Sequence, residues 1–306
     1  MALLRSGMLT LAHNDWVRKS VAQNGVSKGF ALRFIAGESL DEAIDVAARL
    51  NQRGFKVTLD ALGENVATAV EANVARDLYC EILDRIAAIG VDGNISIKLT
   101  MVGLDVDEEL CRRNTAVVLS RAQAHGNFVR VDMEGSRYTQ PTLDITYDLQ
   151  TGSPGGVGIV LQAYLRRTEQ DIHTAIERRI RVRLVKGAYA EPASVAIPSK
   201  HEVDVAYRRE MEQLLDGANY PAIATHDPAL IAATKGYASQ QGIDKSRFEF
   251  QLLYGIRRDL QDQLVSEGYN VRIYVPFGPA WYPYFMRRMA ERPANLFFVL
   301  RNAVRR

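Results

Sequence analysis

Short apolar runs rich in β-branched residues recur along the chain, and each run has the length of a β-strand. Between them lie segments with the apolar period of an amphipathic helix, such as residues 65–90 and 202–219. Strands that alternate with helices predict a parallel sheet. We expect eight strands, at residues 56–62, 94–100, 128–134, 158–164, 182–188, 221–227, 248–255 and 271–278.

Eight strand–helix units in a row, without a low-complexity linker, predict a closed (β/α)8 TIM barrel. The alternative is an open, doubly wound sheet, which more often carries a GxGxxG motif after its first strand. Neither that motif nor GxxxxGK[ST] occurs, and the glycine-rich residues 151–158 precede a strand. These observations favour the barrel.

The chain before the first strand is expected to be helical. Ser39 and Glu42 have the spacing of a capping box, and the apolar period that follows stops at Gly54. We therefore predict a single domain over 1–306. It consists of an N-terminal helical segment (1–54), a barrel (55–279), and a closing helix with a tail (280–306) that lies over the barrel mouth.

Composition and charge give no support to several classes of protein. The net charge of +2 gives no argument for binding nucleic acid. Only two cysteines occur, without a CxxC motif, so we expect a reducing compartment and no structural disulfide. No apolar stretch reaches the length of a membrane-spanning helix. The protein is expected to be cytoplasmic, with at most peripheral membrane contact.

Polar side chains lie near the carboxyl end of almost every predicted strand, which is where barrels of this type carry their active sites. Together they predict a site for an anionic substrate or a phosphate-bearing cofactor, because three of them are cations. The carboxylates either hold those cations in place or bind an ammonium group. The set is Asp60, Lys98, Asp132, Glu134, Gln162, Arg183, Lys186, Thr225, His226, Gln251 and Tyr274.

The helix that follows the eighth strand supplies a second group of charges. Residues 280–296 place Tyr284, Arg287, Arg288 and Glu291 within about two helical turns. Two arginines presented over a barrel mouth are suited to hold a carboxylate. Because strands one and eight are neighbours in a closed barrel, the carboxylates of Asp60 and Glu64 are candidates to pair with these arginines and gate the mouth.

Other chemistries lack the residues they need. His226 is the sole histidine at a predicted strand end and no ligand pair has zinc-like spacing, so we expect no metal. No serine elbow or cysteine–histidine arrangement supports acyl transfer. Two alternatives remain from the residues alone: a Schiff-base aldolase that uses Lys98 or Lys186, and an anion-binding barrel without catalytic activity.

An ordered set of short motifs resembles the proline dehydrogenase family. The resemblance covers nearly the whole chain, from about residue 30 to residue 303. The motifs are SIKLT (96–100), VDME (131–134), LQAYLRRT (161–168), RLVKGAY (183–189), ATHD (224–227), FEFQLLYGIR (248–257), RIYVPFG (272–278) and YFMRRMAER (284–292).

The resemblance implies a distorted barrel that binds FAD and oxidises L-proline to 1-pyrroline-5-carboxylate. It implies catalytic roles for Lys98, Asp132 and Arg183, and a gate pair between Glu64 and Arg287. The substrate-binding residues that it implies are Lys98, Tyr189, Leu253, Tyr274, Tyr284, Arg287 and Arg288. The cofactor-binding residues that it implies are Asp132, Gln162, Arg183, Lys186, Gly187, Ala188, Thr225, His226 and Glu291.

The same resemblance implies a quinone as electron acceptor, and a pyrroline-5-carboxylate dehydrogenase as the enzyme that uses the product. The bifunctional relatives carry that second activity in an aldehyde dehydrogenase module, and we expect this chain to be a stand-alone enzyme without it. One position departs from the family pattern: many members have a tryptophan where this chain has Ala190.

Overall fold

The computed structural model of the chain describes residues 32–63, 65–153 and 155–291, and it describes only the backbone of 287 and 289–291. The predictions for residues 1–31, for Glu64 and for the tail after 291 lie outside the described residues. No helix in the described part of the chain is long and apolar enough to cross a bilayer.

Strands and helices alternate as predicted. The strands are β1 (Lys56–Ala61), β2 (Gly93–Ile97), β3 (Val129–Val131), β4 (Val157–Gln162), β5 (Arg181–Val185), β6 (Ala222–Ala224), β7 (Glu249–Leu253) and β8 (Asn270–Phe277). The helices are α1 (Leu40–Gln52), α2 (Ala69–Ile89), α3 (Glu108–Ala124), α4 (Thr139–Gly152), α5 (Thr168–Glu177), α6 (Lys200–Gly217), α7 (Pro228–Gln240), α8 (Arg258–Ser266) and α9 (Trp281–Glu291).

The eight strands form a closed parallel barrel in sequence order, which confirms the predicted fold class. Closure pairs β1 with β8, from Lys56 opposite Arg272 to Ala61 opposite Phe277. The predicted runs extend up to three residues too far at their carboxyl ends because the strand-like pattern continues into the loops. Consequently Lys98, Asp132 and Lys186 lie just beyond their strands, at the mouth of the barrel.

The barrel interior is polar. Apolar side chains such as Leu59 and Ile97 alternate with polar ones and pack outward in the same core as helix residues such as Ile82. Arg183 of β5 donates to side chains on β2 and β7 and just beyond the end of β3, and none of these strands is its neighbour in the barrel. These bonds must cross the interior, whereas barrels of this type more often fill it with branched aliphatic layers.

The first helix forms as its sequence predicts. Ser39 and Glu42 make a reciprocal capping box, which satisfies backbone N–H groups that have no partner within the helix. The helix ends at Gln52, two residues before the predicted stop, and Gly54 adopts a φ of 84° in the turn that leads to β1. The turn, and not the helix itself, therefore requires the glycine.

The segment before α1 packs against the end of the barrel and the closing helix. The amide of Ala36 donates to the carbonyl of Pro276 at 2.8 Å, which extends the pairing at the end of β8. Phe34 packs against Phe285, and Nε1 of Trp281 donates to Glu38 at 3.1 Å. These contacts hold α9 beside the barrel mouth.

Substitution of Gly158 is expected to destabilise the barrel. A Cβ there would lie 2.5 Å from the carbonyl oxygen of Arg181 and 2.7 Å from Nη1 of Arg130. We expect Gly158→Ala to lower the free energy of unfolding by about 1–3 kcal/mol, measured by urea denaturation. Gly236→Ala is the matched control: it lies inside α7 with open space around it, and should be neutral or stabilising. Equal effects of the two changes would contradict the expectation.

A buried carboxyl on α6 predicts a pH-dependent stability. Burial, reinforced by the charge of Glu169, raises the pKa of Glu210 to about 8. The folded protein therefore retains a proton that the unfolded chain loses near pH 4.5, and stability falls as the pH rises between these values. We expect Glu210→Gln to remove this decline, with a gain on the order of a few kcal/mol above pH 8 in urea denaturation. Parallel pH profiles for the two proteins would contradict it.

Candidate functional site

Arg183 is the centre of the polar interior. Its Nε donates to Oε1 of Gln251 at 2.5 Å, its Nη1 to Oδ1 of Asp132 at 2.7 Å, and its Nη2 to Oγ of Ser96 at 3.1 Å. The side chain is 5% exposed. Within the described part of the chain, these bonds use three of the five N–H donors of the guanidinium, and two remain for a ligand.

Asp132 joins Arg183 to Tyr274. The Tyr274 hydroxyl donates to Oδ2 of Asp132 at 2.6 Å, while Oδ1 accepts from Arg183. The guanidinium also lies 5.1 Å from the centre of the Tyr274 ring. Burial, together with the charges of Asp132 and Asp60, raises the pKa of Tyr274 well above its ordinary value. The phenol therefore stays neutral and remains a hydrogen-bond donor.

Lys98 and Asp60 form a buried ion pair beside this group. Their Nζ and Oδ1 atoms are 2.6 Å apart, and the side chains are 12% and 2% exposed. Burial alone would lower the pKa of Lys98, but the carboxylate of Asp60, with Tyr79 and Asp132, outweighs it and raises that pKa. Lys98 is thus a charged ammonium group at the end of β2.

Side-chain bonds also hold the loops after β2, β3 and β4. Thr100 donates its hydroxyl to Oε1 of Glu134 at 2.6 Å, and Gln162 donates to the backbone carbonyl of Glu134 at 2.9 Å. Both Glu134 and Gln162 are buried. The side-chain nitrogen of Gln162 is used within the protein, so its carbonyl oxygen is the group suited to accept a bond from a ligand.

A similar contact links the ends of β6 and β7. The amide of Leu253 donates to Nε2 of His226 at 2.9 Å. Because Nε2 accepts, a neutral ring carries its proton on Nδ1. Thr225 accepts a hydrogen bond from the amide of Asp227. The histidine ring is therefore fixed in both orientation and tautomer.

Lys186 is held on a different side of the mouth from Lys98. Its Nζ lies 2.5 Å from Asp204 on α6 and 3.0 Å from Asp227, the residue that caps α7. Burial would lower the pKa of Lys186, but these two carboxylates outweigh it and raise that pKa. The cation is positioned by acidic residues on two helices, and neither carboxylate was among the predicted site residues.

The turn after Lys186 brings the backbone close to an aromatic ring. Gly187 has a φ of 113°, and a Cβ at this position would overlap the ring of Tyr164. Ala188 and Ala190 are exposed, and Tyr189 is half-buried. The glycine is therefore required both by its conformation and by the close approach of Tyr164.

The closing helix contributes Tyr284 and Arg288. Tyr284 is buried, and the Arg288 guanidinium lies 5.3 Å from the centre of its ring. The side chains of Arg287 and Glu291 and the whole of Glu64 lie outside the described residues. Asp60, also predicted as a gate residue, has Lys98 as its ion-pair partner because it faces into the barrel and is almost fully buried.

The donor set fits a flavin bound at the mouth. Arg183 offers two N–H groups and a fixed positive charge, and Gln162 offers a carbonyl oxygen. Lys186 and His226 supply further donors at the ends of β5 and β6. Such a set matches the polar edge of an isoalloxazine ring and the phosphates of FAD.

Removal of Asp60 would leave a buried, unpaired cation. We expect Asp60→Asn to cost about 3–5 kcal/mol of stability at pH 7. Burial would then lower the pKa of Lys98, so the loss should shrink as the pH rises towards 10 and the amine becomes neutral. Urea denaturation at pH 7 and pH 9.5 measures both effects.

The control is Asp92→Asn, which breaks the Lys56–Asp92 pair, whose side chains are 32% and 61% exposed. We expect that change to cost less than about 1 kcal/mol at either pH. A loss at Asp60 that is equally small would show that Lys98 does not depend on its partner.

Several residues of the site were not among the catalytic or binding residues predicted from the sequence. Ser96 and Gln251 bond directly to Arg183, and Glu249 and Arg272 lie beneath them. The available signal was the period of two: Asn94, Ser96 and Lys98 are polar at alternate positions of one strand, as are Glu249 and Gln251 of another. Alternate polar positions in a barrel strand indicate a polar interior.

A family model and curated relatives match nearly the whole chain. The family model described as "Proline dehydrogenase" matches residues 43–301. The chain is 40% identical to Proline dehydrogenase 1 of Bacillus subtilis (strain 168) over 304 residues, 99% of this chain and 100% of that protein. It is also 40% identical to Proline dehydrogenase of Deinococcus radiodurans, with 99% of this chain and 98% of that protein covered.

Solved structures show the same architecture. Proline utilization A (PutA) from Bdellovibrio bacteriovorus, inactivated by N-propargylglycine, superposes with a TM-score of 0.84 at 25% identity. The alignment covers 99% of this chain and 39% of that larger protein. The match of family model, full-length relatives and fold leads to one conclusion: this chain belongs to the proline dehydrogenase family.

Proposed function

We propose that this protein binds FAD at the barrel mouth and oxidises L-proline to 1-pyrroline-5-carboxylate, with a quinone as the final electron acceptor. The observation that carries the proposal is the set of hydrogen bonds from Arg183 to Ser96, Asp132 and Gln251, which lie on or next to three strands that do not neighbour β5. Such rigid placement of a buried cation is suited to stabilising negative charge on a bound redox cofactor. Membership of the proline dehydrogenase family supports L-proline as the substrate.

The substrate carboxylate is expected to bind to cations. Lys98 is a charged ammonium group whose position is fixed by Asp60, and Arg288 lies against the ring of Tyr284. Arg287 completes the proposed set as the neighbour of Arg288 on α9. A carboxylate held by an ammonium and two guanidinium groups would be oriented as well as bound. Charge therefore favours an amino or imino acid over a neutral amine.

The ring of proline is expected to lie among apolar and aromatic side chains. The proposed walls are Tyr189, Leu253, Tyr274 and Tyr284. Tyr274 makes two contacts in this arrangement: its hydroxyl donates to Asp132, and its ring packs against the Arg183 guanidinium. The hydrogen bond fixes the ring position, which limits the size of the pocket for the substrate.

Proline oxidation removes a hydride from C5 and a proton from nitrogen, which leaves a C5=N double bond. FAD, when bound, supplies the two-electron acceptor for that hydride. The residues proposed to hold it are Asp132, Gln162, Arg183, Lys186, Gly187, Ala188, Thr225, His226 and Glu291. Arg183 would balance the negative charge that the hydride adds to the flavin ring. Lys186 would balance the charge of the FAD phosphates.

The aldolase alternative is disfavoured by electrostatics. A Schiff-base lysine must be neutral to attack a carbonyl, which requires a lowered pKa. Carboxylates raise the pKa of both Lys98 and Lys186. Borohydride reduction in the presence of a carbonyl substrate should therefore leave both lysines unmodified.

Two partners complete the proposal. A quinone would collect the electrons, and its low solubility in water implies peripheral contact of this protein with a membrane. The product, a cyclic imine, would be used by a pyrroline-5-carboxylate dehydrogenase. PutA of Escherichia coli, a bifunctional protein, is 30% identical to this chain over a region that makes up 27% of its length.

The visible spectrum of the purified protein tests the proposal. We expect flavin absorption bands that bleach when L-proline is added without oxygen and persist with D-proline. Flavin bands that do not bleach with L-proline would support the proposed cofactor but contradict the proposed substrate. A colourless protein that cannot be reconstituted with FAD would contradict the proposal.

Arg183→Lys should separate charge from geometry. Lysine keeps the positive charge but cannot reproduce the three directed bonds to Ser96, Asp132 and Gln251. We expect kcat/KM for L-proline, measured with a quinone analogue, to fall about 100-fold. Arg121→Lys, at a surface pair with Asp84, is the control and should retain activity. Equal activity of the two variants would contradict a geometric role.

A further inference from the structure

Gln251 connects the proposed flavin site to a charged group deeper in the barrel. Its Oε1 accepts from Nε of Arg183 at 2.5 Å, and its Nε2 donates to Oε1 of Glu249 at 2.5 Å. The side chain is 4% exposed. It therefore lies between a buried cation and a buried carboxylate and is bonded to both.

The orientation of this amide is fixed by its two partners. A guanidinium can only donate hydrogen bonds, and an ionised carboxylate can only accept them. The Gln251 oxygen must therefore face Arg183, and its nitrogen must face Glu249. Rotation of the amide by 180° would break both bonds at once. Glutamine suits this position because its amide carries a donating nitrogen and an accepting oxygen at the end of the same side chain.

Glu249 is itself held in place by β8. Nε of Arg272 donates to the same carboxylate oxygen at 2.8 Å. Burial would raise the pKa of Glu249, but the charge of Arg272 and its hydrogen bond, with the bond from Gln251, outweigh burial and lower it. Glu249 is therefore an ionised acceptor beneath the site.

Arg272 connects this pair to the opposite end of the barrel, which we call the floor. Its Nη1 donates to the carbonyl of Val57 at 2.8 Å and to Oδ1 of Asn94 at 3.0 Å. Asn94 also accepts from Thr58 at 2.6 Å. A continuous path of hydrogen bonds thus runs from the floor through Arg272, Glu249 and Gln251 to Arg183.

We infer that Gln251 is a positioning residue that fixes the Arg183 guanidinium relative to the redox cofactor by connecting it to the Glu249–Arg272 pair. The inference rests on the proposed flavin function for its consequence, although the hydrogen-bonded path exists without it. Arg183 contacts Asp132 on one side and Gln251 on the other. Loss of the Gln251 contact would let the cation move towards the partners that remain, Asp132 and Ser96.

Gln251→Glu provides a sharp test because the variant changes character with pH. The protonated carboxyl group of the variant has the shape of the glutamine amide: its carbonyl accepts from Arg183 and its hydroxyl donates to Glu249. On ionisation, the new carboxylate faces that of Glu249, and the two charges repel. It also adds a negative charge beside Arg183. The other charged or titratable groups near this pair are Arg130, Arg272, Tyr220 and, through Arg130, Arg181.

The measurement is the flavin midpoint potential of the holoenzyme between pH 5.5 and 9, expressed as variant minus wild type at each pH. For Gln251→Glu we expect a difference near zero at low pH that becomes more negative as the pH rises. The added negative charge offsets that of Arg183 and disfavours the reduced flavin. A difference that does not change with pH would overturn the inference.

Gln251→Met tests the same contact without a new charge. Methionine has nearly the same volume but cannot bond to Arg183 or Glu249. We expect FAD to bind about tenfold more weakly at every pH, with a displaced midpoint potential. Unchanged affinity and potential would overturn the inference even if Gln251→Glu failed to fold.

Gln213→Glu is the matched control. Gln213 lies on α6 outside the strands, and its side-chain nitrogen is 3.5 Å from a carboxylate oxygen of Glu169. The same chemical change beside a carboxylate should leave the potential of the flavin unaltered. An equal effect at Gln213 would mean that the potential responds to net charge alone, which contradicts a positioning role.

A double-mutant cycle examines the contact without any flavin. The variants are Gln251→Met, Arg183→Met and the double variant, each studied as the full-length protein by urea unfolding. We expect the two losses to be non-additive by about tenfold in the unfolding equilibrium constant. Additive losses would contradict the coupling, and this outcome is independent of the proposed function. If L-proline reduces the flavin of the wild-type protein normally and the Gln251 variants keep the same FAD affinity and midpoint potential, the positioning role is refuted. The proposed function would then still stand.

Discussion

The structure depends on a buried guanidinium that must remain charged. Arg183 is removed from water, and an isolated charge there would be costly. The barrel compensates with hydrogen-bond acceptors at three positions that are far apart in sequence: Ser96, Asp132 and Gln251. Asp132 and Gln251 are in turn bonded to Tyr274 and Glu249. The polar interior is thus one connected network of hydrogen bonds that runs from the floor to the mouth.

This constraint explains why the two faces of the strands differ so strongly. The helices require apolar residues on the outer face, and the Arg183 network requires polar ones on the inner face. Strands buried on both sides usually read as continuous apolar runs. Here Val57 and Leu59 alternate with Thr58 and Asp60 along β1. The outward residues therefore contribute to the stability of the fold, and the inward residues form the site.

The sequence predicts much of this arrangement. Eight strands, the capped helix α1 and the polar strand ends follow from local periodicity and spacing, and the fold confirms the barrel. Pairing across space is different, because nothing local to Lys186 specifies Asp204, which lies on the helix that follows it. The bond between Gln251 and Arg183 likewise depends on barrel closure. The gate formed by Glu64 and Arg287 stays a prediction.

Closure between the first and last strands has a consequence for folding. β1 pairs with β8, although more than 200 residues of chain separate Lys56 from Arg272. During synthesis β1 cannot pair with β8 until β8 has been made. The charged groups inside the barrel therefore stay hydrated until the barrel closes. Because long-range contacts form slowly, desolvation of the interior is expected to be a late step. The cation that serves the site would then be among the last groups to lose its water.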